Sequence, residues 1–175
     1  FAVILFVGMI VHGLFAEVVS RAPSLILSNV NYVKKVVFHL EILPIISLGA
    51  ALFHSLSSLG VLLLAFVLFN GFLHWTVIFL PLVILPFICL ILGLSWIFAS
   101  FGVFLRDIGQ AINLIIMILM FLSPVFYPIT ALPEEFRPWL LANPLTFIIE
   151  QSREVLIWGK LPDVIGLLVY TFYSV

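Results

Sequence analysis

Between Glu41 and Arg106 the chain carries no Asp, Glu, Lys or Arg. One helical crossing of a bilayer needs about 20 apolar residues, so this stretch has room for two. It is interrupted once, at Asn70, Gly71, His74 and Trp75, a pattern that reads as a tight turn at a membrane surface. A charge at the bilayer centre costs roughly 2.5–3.5 kcal/mol on insertion scales. The charge-free stretch is therefore the expected signature of two transmembrane helices joined by a short loop.

The rest of the chain fits the same solvent. It is 65% hydrophobic and 9% charged, against roughly 25% charged in a soluble domain. A net charge of -1 gives no basic patch for nucleic acid. Cys89 is the single cysteine; it has no partner for an internal disulfide or a metal site and reads as apolar filler. The chain starts at Phe1, and Leu167–Val175 stops partway through an apolar run. The expectation is one transmembrane domain over residues 1–175, truncated at both ends. Phe1–Ala16 lacks the basic start and small-residue cleavage site of a signal peptide.

Hydropathy predicts five spans: Phe1 to about Val19, about Ile42 to Phe69, about Trp75 to Gly102, Ile108 to about Ser123, and one beginning near Pro162. Pro44 and Pro81 suit first-turn positions, and Pro86 is placed to kink its helix. Between the first two spans, Ile26, Val30, Val33 and Val37 recur at spacings of three and four among Asn29, Asn31, Lys34 and Lys35. This predicts an amphipathic helix at the membrane surface. Lys and Arg in short loops set orientation. Arg21, Lys34, Lys35 and Arg106 fall on one side, which is read as cytoplasmic. Arg137, Arg153 and Lys160 fall on the other.

The segment Ser123–Asp163 is too polar to span and too apolar to be an ordinary loop. Leu132-Pro133-Glu134-Glu135 has a helix-start pattern, with Pro in the first turn and acids at the positive dipole end. Asn143-Pro144 repeats it with Asn as cap, and Gly159 is suited to ending that helix in a left-handed conformation. Two short amphipathic helices follow. Phe136, Trp139 and Leu140 give the first an apolar side; Phe147, Ile148, Val155 and Trp158 give one to the second. Glu150 and Glu154 flank Arg153, which suits local pairing. Such helices lie on the headgroups, or dip into the membrane where protein satisfies their irregular backbone.

No G-x-x-x-x-G-K-[ST] phosphate loop, H-E-x-x-H, G-x-S-x-G or C-x-x-C motif occurs. His12, His39, His54 and His74 have no ligand spacing, and His74 beside Trp75 reads as an interface anchor. His12 and His54 sit inside spans, where helix–helix hydrogen bonding is preferred over a functional role. Ser55, Ser57 and Ser58 beside His54 favour that choice. Glu17 pairs with Arg21 at i,i+4. A membrane-embedded enzyme would need carboxylates or histidines converging at one depth, and none is expected to. A secondary transporter would show paired broken helices or buried charges in matching halves, and the spans show none.

Four blocks then stand in order: Asn31-Tyr32-Val33-Lys34-Lys35-Val36-Val37-Phe38, Arg106-Asp107-Ile108-Gly109-Gln110, Ser123-Pro124-Val125-Phe126-Tyr127-Pro128, and Asn143-Pro144-Leu145-Thr146 followed by Glu150. Together they resemble the permease subunit of bacterial type 2 ABC transporters that export polysaccharides: O-antigen, capsular polysaccharide or teichoic acid. The resemblance covers essentially the whole chain. His39 departs from it, since the family often has Pro there.

The resemblance implies an all-α polytopic bundle in which the five spans are the second to sixth of six. Asn31, Tyr32, Lys34, Lys35 and Phe38 would form the inner coupling helix that docks on a separate ATP-binding subunit. Arg106, Asp107 and Gln110 would form an inner loop. Residues 123–159 would be re-entrant gate helices on the outer side. The chain itself would bind no cofactor; ATP and Mg would sit on the partner. Two permease copies would enclose a channel in the bacterial inner membrane for a lipid-linked polysaccharide. Aromatic rings suit the C–H faces of sugars, which makes Phe121, Phe126, Tyr127 and Trp139 the candidates for the path and its outer gate. A drug or small-lipid exporter of the same superfamily would share the coupling helix but need a narrower path.

Overall fold

A computed structural model describes residues 2–29, 41–72, 74–105, 107–127, 140 and 143–174. Among these the chain is helical, without strands. Helix α1 is Ala2–Arg21, followed by a 3-10 turn, Ala22–Ser24, and a short α2, Leu25–Ser28. Then come α3 (Ile42–Asn70), a 3-10 turn (Trp75–Phe79), α4 (Leu80–Phe104), α5 (Ile108–Leu122), α6 (Pro144–Leu156) and α7 (Val164–Ser174).

Among the described residues, three apolar helical stretches are long enough to cross a membrane: Ala2–Ser28, Ile42–Phe69 and Trp75–Phe104. The fourth and fifth expected spans form shorter apolar helices. At 1.5 Å per residue, the 15 residues of α5 reach only about 22 Å. The cause is local. Ser123 is extended (φ -95°, ψ 149°), the conformation that a following proline favours, so Pro124 ends the helix early.

Each boundary has a chemical reason. Gly71 closes α3 with φ 75° and donates its N–H to the Val67 carbonyl at 2.8 Å. Few residues but glycine adopt that conformation cheaply. Pro81 sits in the first turn of α4, where its missing N–H costs nothing. The helix runs on through a buried Pro86.

The core draws on every long helix among the described residues, with Leu48, Ala51 and Leu62 from α3 and Leu167 from α7. On α1 it is Val7, Val11, Leu14, Phe15 and Val18; on α4, Val83, Phe87 and Ile91; α5 adds Ile112 and Ile116, and α6 adds Ile148 and Ile149. Phe15 stacks on Phe87 with ring centres 6.4 Å apart. Lipid tails are as apolar as these side chains, so close packing rather than water expulsion holds such helices together. Small residues make it possible: at Gly102 of α4 an added Cβ would lie 2.0 Å from the Pro23 carbonyl oxygen. Phe53, Leu56, Val61, Leu64 and Leu68 of α3 point outward and exposed, an exterior suited to lipid.

The expected ion pair Glu17–Arg21 forms at 3.0 Å. His12 Nε2 lies 3.3 Å from the Ile116 carbonyl oxygen, a bond between α1 and α5. His54 Nδ1 lies 2.9 Å from Glu17 Oε1, joining α3 to α1. Both histidines are therefore helix–helix bonds, as preferred from sequence. The expectation that no carboxylate and histidine converge is corrected, since Glu17 and His54 meet across two spans that sequence distance kept apart.

Candidate functional site

Asn31, Tyr32, Lys34, Lys35 and Phe38 lie outside the described residues, as do Arg106 and Trp139. The residues flanking the first group are placed. The Asn29 side chain donates to the Leu25 carbonyl at 2.8 Å. Glu41, before α3, accepts from Trp96 Nε1 of α4 through its carbonyl at 3.1 Å. Pro23, packed on Gly102, and Glu41 are thus described residues on either side of 30–40 that both contact the second half of α4. Asp107 takes the cap position of α5, where its carbonyl accepts from the Gln110 N–H at 3.1 Å. Its side chain makes no cap bond, and Asp107 and Gln110 are both exposed.

The three placed path candidates come together. Phe121 ends the exposed side of α5, and its ring centre is 6.2 Å from that of Phe126. The Tyr127 hydroxyl donates to the Phe121 carbonyl at 3.2 Å. Phe126 packs on the core and Tyr127 is half-buried, while Phe121 is 62% exposed. These rings edge a tight turn, residues 123–127, in which the Val125 N–H bonds the Ser123 carbonyl at 2.7 Å.

Two residues of the α6 region pin that turn. Asn143 caps α6 by accepting from the Leu145 N–H at 3.0 Å, and its amide donates to Ser123 Oγ at 2.8 Å. Arg153 is only 2% exposed. Its Nε donates to the Ile4 carbonyl of α1 at 3.1 Å and one terminal nitrogen to the Val125 carbonyl at 3.0 Å. The other terminal nitrogen reaches the Tyr127 carbonyl at 3.4 Å and Glu150 Oε1 at 2.8 Å. Burial pulls the guanidinium pKa down, and Glu150 opposes this; arginine stays charged regardless. Gly8 lets α1 approach: an added Cβ there would lie 2.9 Å from the Val125 carbonyl oxygen.

Helix α6 is thus not a surface helix. Leu145, Ile148, Ile149 and Val155 are fully buried, and the Val155 carbonyl accepts from Thr76 at 2.7 Å. Protein surrounds it, the condition for irregular backbone at membrane depth. Gly159 follows with φ 62°, the left-handed end expected of it. Trp158 departs from expectation. It lies past the end of the helix and is 61% exposed, so it adds nothing to the buried face. Glu154 departs too: it accepts from Gln151 at 3.2 Å, while Glu150 alone pairs with Arg153 among the described residues. For Arg153 the sequence predicts local pairing with its flanking acids, and its burial and its bonds to three backbone carbonyls go beyond that. A helical projection holds the clue, since position 153 falls four residues after Ile149 on the buried face.

Comparison with known proteins covers the same ground. Residues 2–157 match the ABC-2 type transporter family. An O-antigen export system permease protein RfbA of Klebsiella pneumoniae is 26% identical over 175 residues, 98% of this chain and 67% of that protein. A protein of the same name from Myxococcus xanthus is 26% identical over 177 residues, covering 100% of this chain and 68% of its own length. The polysialic acid transport protein KpsM of Escherichia coli is 29% identical over 91 residues, 51% of this chain and 35% of KpsM. The matched span takes in α1 through α6, including Arg153 and the turn it pins, and on this evidence the chain belongs to the ABC-2 type transporter family.

Proposed function

We propose that this chain is the membrane-spanning permease subunit of an ATP-driven exporter. Its cargo is a lipid-linked polysaccharide, moved across the bacterial inner membrane. The observation that carries this reading is the family match over residues 2–157, with relatives named for O-antigen export aligned along nearly the whole chain. The sequence supplies no phosphate-binding loop, so a separate subunit hydrolyses ATP with its Mg. Two copies of the permease enclose the path. Asn31, Tyr32, Lys34, Lys35 and Phe38 receive the push of that subunit. Arg106, Asp107 and Gln110 form the inner turn before α5. Phe121, Phe126, Tyr127 and Trp139 face the polymer at the outer gate, where ring faces slide on sugar C–H groups.

The test is reconstitution of the permease with its ATP-binding subunit in lipid vesicles, following polymer movement and ATP hydrolysis together. Wild-type protein moves a lipid-linked glycan only with ATP. Lys34→Glu with Lys35→Glu still inserts and still assembles, but hydrolysis no longer drives export. An assembled wild-type complex that hydrolyses ATP and moves no glycan would reject the reading. Normal export by the double variant would reject the coupling role alone.

A further inference from the structure

We propose that Arg153 is a positioning residue that latches the outer gate to α1, so that movement delivered at the Arg21 end of α1 reaches the 123–127 turn. This deepens the exporter reading and rests on it. One guanidinium on α6 holds the carbonyl of Ile4 from α1 and those of Val125 and Tyr127 from the turn. Three separate segments therefore meet on one rigid, planar group. A hydrogen bond near 3 Å is largely lost beyond about 3.5 Å. A shift of about half an ångström between any two of these segments breaks contacts, so the junction moves as one body or comes apart. Gly8 reinforces it, because α1 sits with no side chain between it and the Val125 backbone.

The other end of α1 makes this a transmission element. The helix has 20 residues, about 30 Å of rod, stiffened along its length by Val7, Val11, Leu14, Phe15 and Val18 in the core. At Arg21 it passes directly into the Ala22–Ser24 turn and α2, and from there the chain enters the 30–40 segment that carries the proposed ATP-driven push. A displacement there tilts or slides the rod, and Arg153 forces the gate turn to follow. Phe126 and Tyr127 are carried on that turn, and the Tyr127 hydroxyl bonds the carbonyl of Phe121 at the end of α5. An ordinary structural arginine would tie its neighbours without lying at the far end of such a rod from the energy input.

The test uses the complex of permease and ATP-binding subunit in vesicles, reading ATP hydrolysed per polymer exported. Arg153→Lys keeps the charge and can hold Glu150, but a single ammonium cannot span the Ile4, Val125 and Tyr127 carbonyls in a fixed fork. Arg153→Gln removes the charge as well. The expected result is an inserted, assembled Lys variant whose ATP cost per polymer rises about fivefold or more, the low end of a site-to-site coupling energy. The Gln variant is at least as costly. A purely structural role lowers hydrolysis and export together, leaving the ratio at its wild-type value; that result overturns the latch, as does failure of both variants to assemble. In either case wild-type export under the same conditions leaves the exporter reading intact, whereas wild-type failure rejects that reading first.

Discussion

Asn143 offers the sharpest energetic test of how α6 is joined to the turn beside it. It is 5% exposed, and Ser123 is fully buried. Replacing Asn143 with Ala removes two things at once. The first is the cap on the Leu145 N–H, whose loss costs about 1 kcal/mol, range roughly 0.5–2. The second is the donor to Ser123 Oγ; leaving a buried polar group unpaired costs about 1–3 kcal/mol. Together the loss is about 2–4 kcal/mol, a large part of the stability of a marginal domain.

Asn143→Asp separates these terms. One carboxylate oxygen keeps the cap, and the Ser123 hydroxyl can turn to donate to the other. The helix dipole favours the new charge at this end, so the net loss stays under about 1 kcal/mol. The assay is reversible unfolding in mixed detergent micelles followed by helical circular dichroism, run as a double-mutant cycle with Ser123→Ala. The two sites should couple by about 1 kcal/mol, because Ser123→Ala removes the orphaned hydroxyl that makes Asn143→Ala costly. The reasoning fails if Asn143→Ala stays within about 0.5 kcal/mol of wild type, the range of surface changes without a structural role. It fails equally if Asp is as harmful as Ala.

Two further outcomes follow from the same geometry. Gly102→Ala would place a Cβ 2.0 Å from the Pro23 carbonyl oxygen and 2.6 Å from its carbon; backbone cannot swing aside, so the loss exceeds the about 1–3 kcal/mol of ordinary overpacking. Thermal unfolding in detergent reads this, and near wild-type stability would show that α4 and the Ala22–Ser24 turn separate freely. Tyr127→Ala slows the appearance of polymer at the cell surface while insertion and assembly survive; Tyr127→Phe keeps the ring but loses the bond to the Phe121 carbonyl. Quantifying surface glycan decides: a mild Phe variant shows that stacking dominates, an equally severe one shows that the hydroxyl matters, and full export with Ala removes Tyr127 from the path.

The spans were legible in the sequence because lipid leaves a chain few options. Without water, backbone groups must pair within a helix, and the charge-free stretch after Glu41 left nowhere else for a boundary than the Asn70–Trp75 turn. Local chemistry was legible for the same reason at Asn143 and Gly159, where the cap and the left-handed end depend on the residues themselves. Contacts made by backbone carbonyls leave no such mark. The acceptors of Arg153 lie 149, 28 and 26 residues away along the chain, and nothing in Ile4, Val125 or Tyr127 as residue types announces them. Glu17 and His54, 37 residues apart, were hidden in the same way, because which turn of α1 faces which turn of α3 is set by packing.

The turn explains why an arginine stands at position 153. A chain that leaves α5 at Ser123 turns inside protein over residues 123–127, and Pro124 contributes no N–H to satisfy the carbonyls there. Carbonyls left unpaired away from water cost free energy comparable to a lost hydrogen bond each. Arg153 supplies donors to two turn carbonyls and one on α1, which takes several N–H groups in one plane. Lysine offers three donors at a single point; glutamine offers two. Arginine offers five in a fork, and Glu150, one helical turn away at 2.8 Å, balances the charge that so many donors bring. The backbone carbonyls of the turn are thus the demand, and the buried Arg153 with its half-buried partner Glu150 meets it. The same group then ties the turn to α1.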